Sequence, residues 1–187
     1  MAISLYDLSV PTFLQTVRAI GAFLDRTATY CVEMNFDAND FVNARLFDDM
    51  APFHFQIEAA WHHSVWGVEA LKIGAFAPPA LVGPVPFADL RAMIGKAEKA
   101  LEDFTPDEVN SWSTNELNIV LHRPRDKEDD WRPWEPRTMG FTPEAFLLSF
   151  SFPNFHFHAV TAYDILRSRG VPLGKRDYEG WLRMTSD

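Results

Sequence analysis

Four long segments of the chain carry apolar residues at intervals of three and four, and this period constrains the fold more than any other feature. The segments span about residues 10–33, 48–73, 86–103 and 142–170. Residues at these intervals share one face of an α-helix, so each segment predicts an amphipathic helix. Four such helices favour an all-α fold, an antiparallel four-helix bundle around one shared core.

The stretch between the third and fourth predicted helices has a different pattern. Residues 116–121 partly alternate between apolar and polar, and residues 138–141 can return as a second strand. We therefore predict a small β-hairpin over 113–141, as an excursion within a single domain that spans residues 1–187. The loop at 123–137 is rich in proline, tryptophan and charge, and it is either a mobile surface segment or a contact for a partner.

The charge and the cysteine content exclude several classes of protein. The chain has 17 Lys and Arg against 26 Asp and Glu, a net charge of −9, whereas nucleic-acid-binding proteins need a basic surface. The single cysteine, Cys31, excludes a disulfide scaffold. No apolar run reaches the roughly 18 residues of a membrane-spanning helix, and residues 1–7 lack the features of a signal peptide. We expect a cytoplasmic protein that binds neither nucleic acid nor membrane.

The last predicted helix has the clearest start and also an internal break. Thr142 is a good N-cap residue, and Pro143 fits the first helical position. Pro153 lies in the helix interior, where it removes a backbone hydrogen bond and clashes with the preceding turn. The helix is expected to kink there and to open carbonyl groups beside Asn154, which lies one turn before His158.

Histidines are the residues most suited to chemistry in this sequence, but no pair has the spacing of a chelate on one helix. Ligands on one helix need intervals of three or four. His54 and His62 are eight residues apart on the second helix, His63 is expected to point away, and His156 and His158 are two apart on the last. A metal such as zinc or nickel would therefore need His158 with His54 or His62. The alternative is that these are partly buried histidines with hydrogen-bond partners.

Three motifs resemble a family of uncharacterised proteins from bacteria and fungi. They are SLYDLSVPTF at 4–13, RLFDDMAPF at 45–53 and PNFHFHAVTAYDILRSRGVPLGK at 153–175. The resemblance covers about residues 3–176. That family is similar to a branch of the DinB/YfiT-like superfamily, whose members are four-helix bundles of metalloenzyme type and often homodimers. The resemblance implies the same fold for this chain and, by the same reasoning, a homodimer.

The resemblance also implies where a metal site would lie. The superfamily triad uses one histidine on the second helix and an H-x-x-x-H pair on the last helix. In this sequence the second histidine of that pair corresponds to His158, the first to Asn154, and the second-helix ligand to a position near Gln56. Asn and Gln offer only neutral amide oxygens, which bind transition metals more weakly than imidazole does. The sequence therefore predicts no stoichiometric transition metal, with His158 neutral and hydrogen-bonded to Asn154.

Three functions remain open from the sequence. The first is a polar pocket lined by Asp49, Gln56, Asn154 and His158, which binds a small molecule or holds the core together. The second is a divalent-metal enzyme of hydrolase or thiol-cofactor transferase type, with His158 and a second-helix histidine as ligands. The third is a dimeric interaction module, because an aromatic content of 14% exceeds what one small core readily buries. No motif identifies a substrate.

Overall fold

Four long helices and one two-stranded sheet make up a computed structural model that describes residues 3–121 and 137–184. The first long helix, α1, spans Leu5–Met34 and the third, α3, spans Phe87–Glu102. The second, α2, consists of Phe53–Trp61, a π-helical turn at His62–Trp66, and Gly67–Ile73. The fourth, α5, consists of Pro143–Phe146, a π-helical turn at Leu147–Ser151, and Phe152–Ser168.

Three short helices connect or follow the long ones. They are a 3-10 turn at Ala38–Phe41, α4 at Pro106–Ser111 and α6 at Lys175–Glu179. None of the described helices is long and apolar enough to cross a membrane.

Along the sequence, the two strands of the sheet lie between the long helices α3 and α5, as predicted. Strand β1, Leu117–Leu121, pairs antiparallel with β2, Arg137–Phe141, and Leu117 faces Phe141 across the ladder. The predicted all-α fold with a small β-hairpin is therefore confirmed. Except for Arg137, the predicted loop at 123–137 lies outside the described residues, as does His122.

The start of α1 differs from the prediction, which placed it near Pro11. The helix begins at Leu5, where the Ser4 hydroxyl caps it by accepting from the backbone N–H of Asp7. Pro11 lies inside the helix and cannot donate to the carbonyl of Asp7 four residues earlier. That carbonyl instead accepts from the guanidinium of Arg183 at 3.3 Å and from the hydroxyl of Thr12 at 3.5 Å. One tertiary and one local side-chain contact thus replace the missing helical bond.

The start of α2 also differs from the prediction. The predicted segment starts at residue 48, but Asp48 and Asp49 lie in an exposed turn, and the helix begins at Phe53 after Pro52. The helix ends at Ile73, as the predicted segment does. The next residue, Gly74, has a φ of +76°, the left-handed conformation that glycine favours.

The core is built where the long helices meet. Helix α1 packs mainly on α3, and α2 packs on α5. Five phenylalanines are fully buried between them: Phe13, Phe23, Phe53, Phe146 and Phe155. Each such burial contributes about 1.5–3 kcal/mol relative to an exposed ring. This paired arrangement sets one face of α2 against α5, where the histidines of interest lie.

The two π-helical turns lie opposite each other on α2 and α5. In a π turn the backbone bonds skip one residue further, as when the N–H of Phe152 donates to the carbonyl of Leu147. Side chains donate hydrogen bonds to backbone carbonyl groups in or beside these turns. The Ser151 hydroxyl donates to the carbonyl of His63 at 2.8 Å, and the Asn154 amide donates to that of Phe150 at 2.7 Å. This π turn ends two residues before Pro153, and α5 continues past the proline to Ser168. The kink expected at Pro153 stays a prediction.

Candidate functional site

Gln56 on α2 and His158 on α5 face each other across the helix pair. The Nδ1 atom of His158 lies 2.8 Å from Oε1 of Gln56. The Gln56 side chain is fixed at its other end, because its Nε2 donates to the carbonyl of Ala51 at 2.9 Å. Gln56 is only 1% exposed, so these two contacts hold it in one orientation.

This hydrogen-bond arrangement determines which ring nitrogen of His158 carries the proton. Turning the Gln56 amide over would set its oxygen against the carbonyl of Ala51, leaving two acceptors face to face. Its oxygen must therefore face His158, and Nδ1 of His158 must be the donor. A neutral imidazole with a proton on Nδ1 has its free lone pair on Nε2. Among the described residues, no hydrogen bond to that Nε2 is present.

The segment before α2 explains why Ala51 presents its carbonyl to Gln56. Arg45 donates from its guanidinium to the carbonyl of Met50. The N–H of Phe53 donates to the carbonyl of Ala44 at 2.8 Å, which closes the same loop. The sequence motif at 45–53 therefore builds the turn that orients Gln56 and, through Gln56, His158.

His63 is the second histidine of this site, and the sequence analysis was wrong to point it away. Its ring stacks on Phe76, with centroids 4.9 Å apart, and faces the ring of His158 at 5.8 Å and 17°. His63 follows Gln56 by seven residues, which is two helical turns, so both lie on the face toward α5. That seven-residue interval is the sequence signal that could have found it.

Phenylalanine rings surround the two imidazoles. Phe55 and Phe157 lie against His158 at centroid distances of 5.7 and 5.3 Å, and Phe150 lies 5.7 Å from His63. We refer to a His158 site, consisting of one amide, two imidazoles and four phenylalanines: Gln56, His63, His158, Phe55, Phe76, Phe150 and Phe157.

Burial keeps both imidazoles neutral. It lowers the pKa of His63 to about 3, together with the smaller effects of positive charge on His158 and His62. Burial alone lowers the pKa of His158 to about 4. At pH 7 both rings are therefore uncharged, and Nδ1 of His63 is buried without a hydrogen-bond partner among the described residues.

Two residues expected in the pocket take different positions. Asn154 lies one turn before His158, but its amide donates to the carbonyl of Phe150, and Gln56 rather than Asn154 holds His158. The π turn leaves a carbonyl within reach of Asn154, which accounts for the change. Asp49 is exposed ahead of α2, and no described contact links it to His158.

His54 and His62 lie on another face of α2, so the expected pairing of either with His158 is wrong. The ring of His62 contacts Trp61 at 5.5 Å and Trp66 at 5.3 Å. Burial lowers the pKa of both histidines, and the nearby charge of Glu58 acts in the opposite direction. Each is four residues from Glu58, which places the three on one side of the helix.

Glu58 is a buried carboxylate that the sequence analysis missed. It is 1% exposed and accepts hydrogen bonds from the backbone N–H groups of Val82 and Gly83, the second at 3.5 Å. A buried charge needs such partners. Glu58 therefore fastens the 74–86 segment to the middle of α2.

The residues at the triad positions do not fit a transition metal. Only His158 of the three is an imidazole. The amide oxygen of Gln56 already accepts from His158, and the amide of Asn154 donates to a backbone carbonyl. Within 3–121 and 137–184, no group of three or more His, Cys, Asp or Glu side chains converges on a common point. His63 adds a second imidazole but not a third ligand.

A large groove lies away from these histidines. It has a volume of about 940 Å³ and runs between α1, α3 and the C-terminal residues, with Arg18 and Arg91 in its wall. Both guanidinium groups are already paired, Arg18 with Glu98 at 2.7 Å and Arg91 with Asp25 at 2.7 Å. Since these charges neutralise each other, size alone does not make the groove a better candidate than the His158 site.

The fold is that of the DinB-like class of helical proteins. The chain is similar to the crystal structure of a DinB family member protein from Shewanella denitrificans, with 26% identity and a TM-score of 0.76, over 98% of this chain and 96% of that one. The model of a domain of unknown function, DUF1993, matches residues 5–179, and the chain belongs to that family. The resemblance found in the sequence is thereby confirmed. No curated protein matches the chain.

Proposed function

We propose that this protein binds a small, mostly apolar molecule at the His158 site, with Nε2 of neutral His158 as the hydrogen-bond acceptor. The observation that carries the proposal is the fixed contact between Gln56 and His158. A buried amide held at both ends presents one tautomer of one imidazole toward the surrounding phenylalanine rings. Apolar walls with a few oriented polar atoms are the usual composition of a ligand site.

The tautomer gives the first test of this proposal. Nitrogen-detected NMR of the histidine rings at pH 7 should show His158 neutral, with its proton on Nδ1. Gln56→Met removes the acceptor at similar volume and should shift the population toward a proton on Nε2. Gln15→Met is a matched control, because Gln15 also donates to a backbone carbonyl, that of Glu179, but lies away from the site. A wild-type ring protonated on Nε2 would contradict the proposal.

Ligand binding gives the second test. Titration with uncharged aromatic compounds should perturb the ring signals of His63 and His158, and His158→Phe should weaken the binding. The absence of any such perturbation at millimolar concentrations would contradict the proposal.

A metal-dependent reaction is the less favoured alternative, and it can be tested by restoring the triad. Asn154→His with Gln56→His would place three imidazoles at convergent positions, since residue 56 reaches His158 and residues 154 and 158 are one turn apart. We expect the affinity for zinc or nickel to rise by more than about 100-fold, because even losing the groups that support a ligand costs 10- to 100-fold. Calorimetry with either ion would measure this. About one metal per chain in the unmodified protein would contradict the proposal.

The homodimer and the cytoplasmic location stay predictions. Light scattering on the purified protein tests the dimer directly. The DinB-like neighbour supports the fold of this chain. The oligomeric state is what light scattering would measure.

A further inference from the structure

We propose that the ligand of the His158 site is an uncharged aromatic molecule that carries a hydrogen-bond donor, of the phenol or azole class. This inference rests on the proposed function and goes beyond it, because it specifies the charge, the shape and the hydrogen-bonding group of the ligand. Three features of the site support it independently.

The first feature is the acceptor. With its proton held on Nδ1 by Gln56, His158 offers only a lone pair at Nε2. A ligand atom that meets Nε2 must therefore bring a proton of its own, as an O–H or N–H group does. A ligand with only carbonyl or ether oxygens would set two acceptors against each other, which is unfavourable beside a largely buried imidazole.

The second feature is the absence of charge around the imidazoles. Among the described residues, no carboxylate, lysine or arginine shifts the pKa of His63 or of His158. A carboxylate or an ammonium group entering this site would lose its hydration without gaining an ion partner, which is unfavourable. Phenylalanine faces attract cations only modestly, so they do not offset that cost.

The third feature is the shape of the wall. Phe76, His63 and His158 follow one another as nearly parallel rings, with interplanar angles of 14° and 17°. Phe157, which is 57% exposed, lies edge-on to His158 at 83°. A ligand that donates to Nε2 approaches in the plane of the imidazole, where a flat ring can meet the surrounding phenylalanines by their faces and edges. A branched aliphatic group of equal size makes fewer such aromatic contacts.

The test compares four ligands with one benzene ring each: p-cresol, toluene, benzylamine and benzoate. We expect p-cresol to bind about 3- to 10-fold tighter than toluene, the effect of one hydrogen bond, and both to bind tighter than the two charged compounds. Gln56→Met should reduce the preference for p-cresol over toluene, whereas Gln15→Met should keep it. NMR titration monitored at His158 would give the dissociation constants.

The outcomes separate this inference from the proposed function. If toluene and p-cresol bind equally at His158, the donor requirement is wrong while small-molecule binding stands. If benzylamine or benzoate binds most tightly, the inference that the ligand is uncharged is wrong. If none of the four perturbs His63 or His158, the proposed function itself fails. A preference for p-cresol that persists in Gln56→Met would also overturn the inference, because the acceptor would not depend on the Gln56 contact.

Discussion

Lowering the pH from 7 to 5 should reduce the free energy of unfolding by about 2 kcal/mol for each of His63 and His158. In the folded protein burial holds their pKa values at about 3 and about 4, whereas in the unfolded chain both titrate near 6.5. Between these values the unfolded state binds more protons, so stability falls as the pH falls. The contribution is complete above about pH 6.5 and is lost progressively down to the folded pKa values.

Urea unfolding at pH 7, 6 and 5 would measure this dependence. His63→Phe and His158→Phe each remove one titrating group and should make the pH dependence of stability shallower by about 2 kcal/mol over that range. The double variant should remove both contributions. If the double variant loses as much stability between pH 7 and pH 5 as the wild type does, the two rings are not the buried neutral groups described here.

Gly67→Ala should destabilise the protein by about 1–3 kcal/mol, although alanine is the better helix former by about 1 kcal/mol. A Cβ at residue 67 would lie 2.4 Å from the hydroxyl oxygen of Ser151, which is fully buried. The hydroxyl would have to turn and would leave the carbonyl of His63 without its donor, at a cost of about 1–3 kcal/mol.

A double-mutant cycle tests this explanation. Ser151→Ala alone should lose the hydrogen bond and cost about 1–3 kcal/mol. In that background Gly67→Ala should be neutral or slightly stabilising, because the nearest atoms then are Cζ of Phe13 and Cβ of residue 151, both at 3.5 Å, an ordinary contact distance. The two changes should therefore be strongly non-additive. Additive effects in urea unfolding would show that the close approach of Gly67 and Ser151 does not determine the packing of α2 on α5.

The helices could be predicted from sequence because their signals are local. The apolar period placed all four long helices, and Thr142 with Pro143 marked the start of α5, where the Thr142 hydroxyl accepts from the N–H of Ala145. The error at the start of α1 arose because Ser4, a local capping residue, was overlooked. Pro11 is accommodated inside α1 because Arg183 and Thr12 donate to the carbonyl of Asp7, and the contact from Arg183 has no local sequence signal.

The site was only half predictable, for a similar reason. The resemblance of the motifs located Gln56 and His158. The role of Gln56, however, depends on its hydrogen bond to the backbone carbonyl of Ala51, and the position of that carbonyl is known only from the folded backbone. His63 was missed although its interval from Gln56 is regular. Glu58 was missed because its partners, the N–H groups of Val82 and Gly83, carry no sequence signal.

The two π turns have a consequence for how this chain can change in length. A π turn is equivalent to a one-residue insertion in an α-helix, so deleting one residue within 62–66 would restore regular winding. Because the wider π turn absorbs the extra residue, this deletion would leave Gly67–Ile73 close to its present orientation, with Val68 and Leu71 still in the core in which both are fully buried. The same holds for 147–151 and the long segment that follows. Ser151 in one turn donates to a carbonyl of the other, so we expect a single-residue deletion in either turn to be tolerated at the cost of that hydrogen bond.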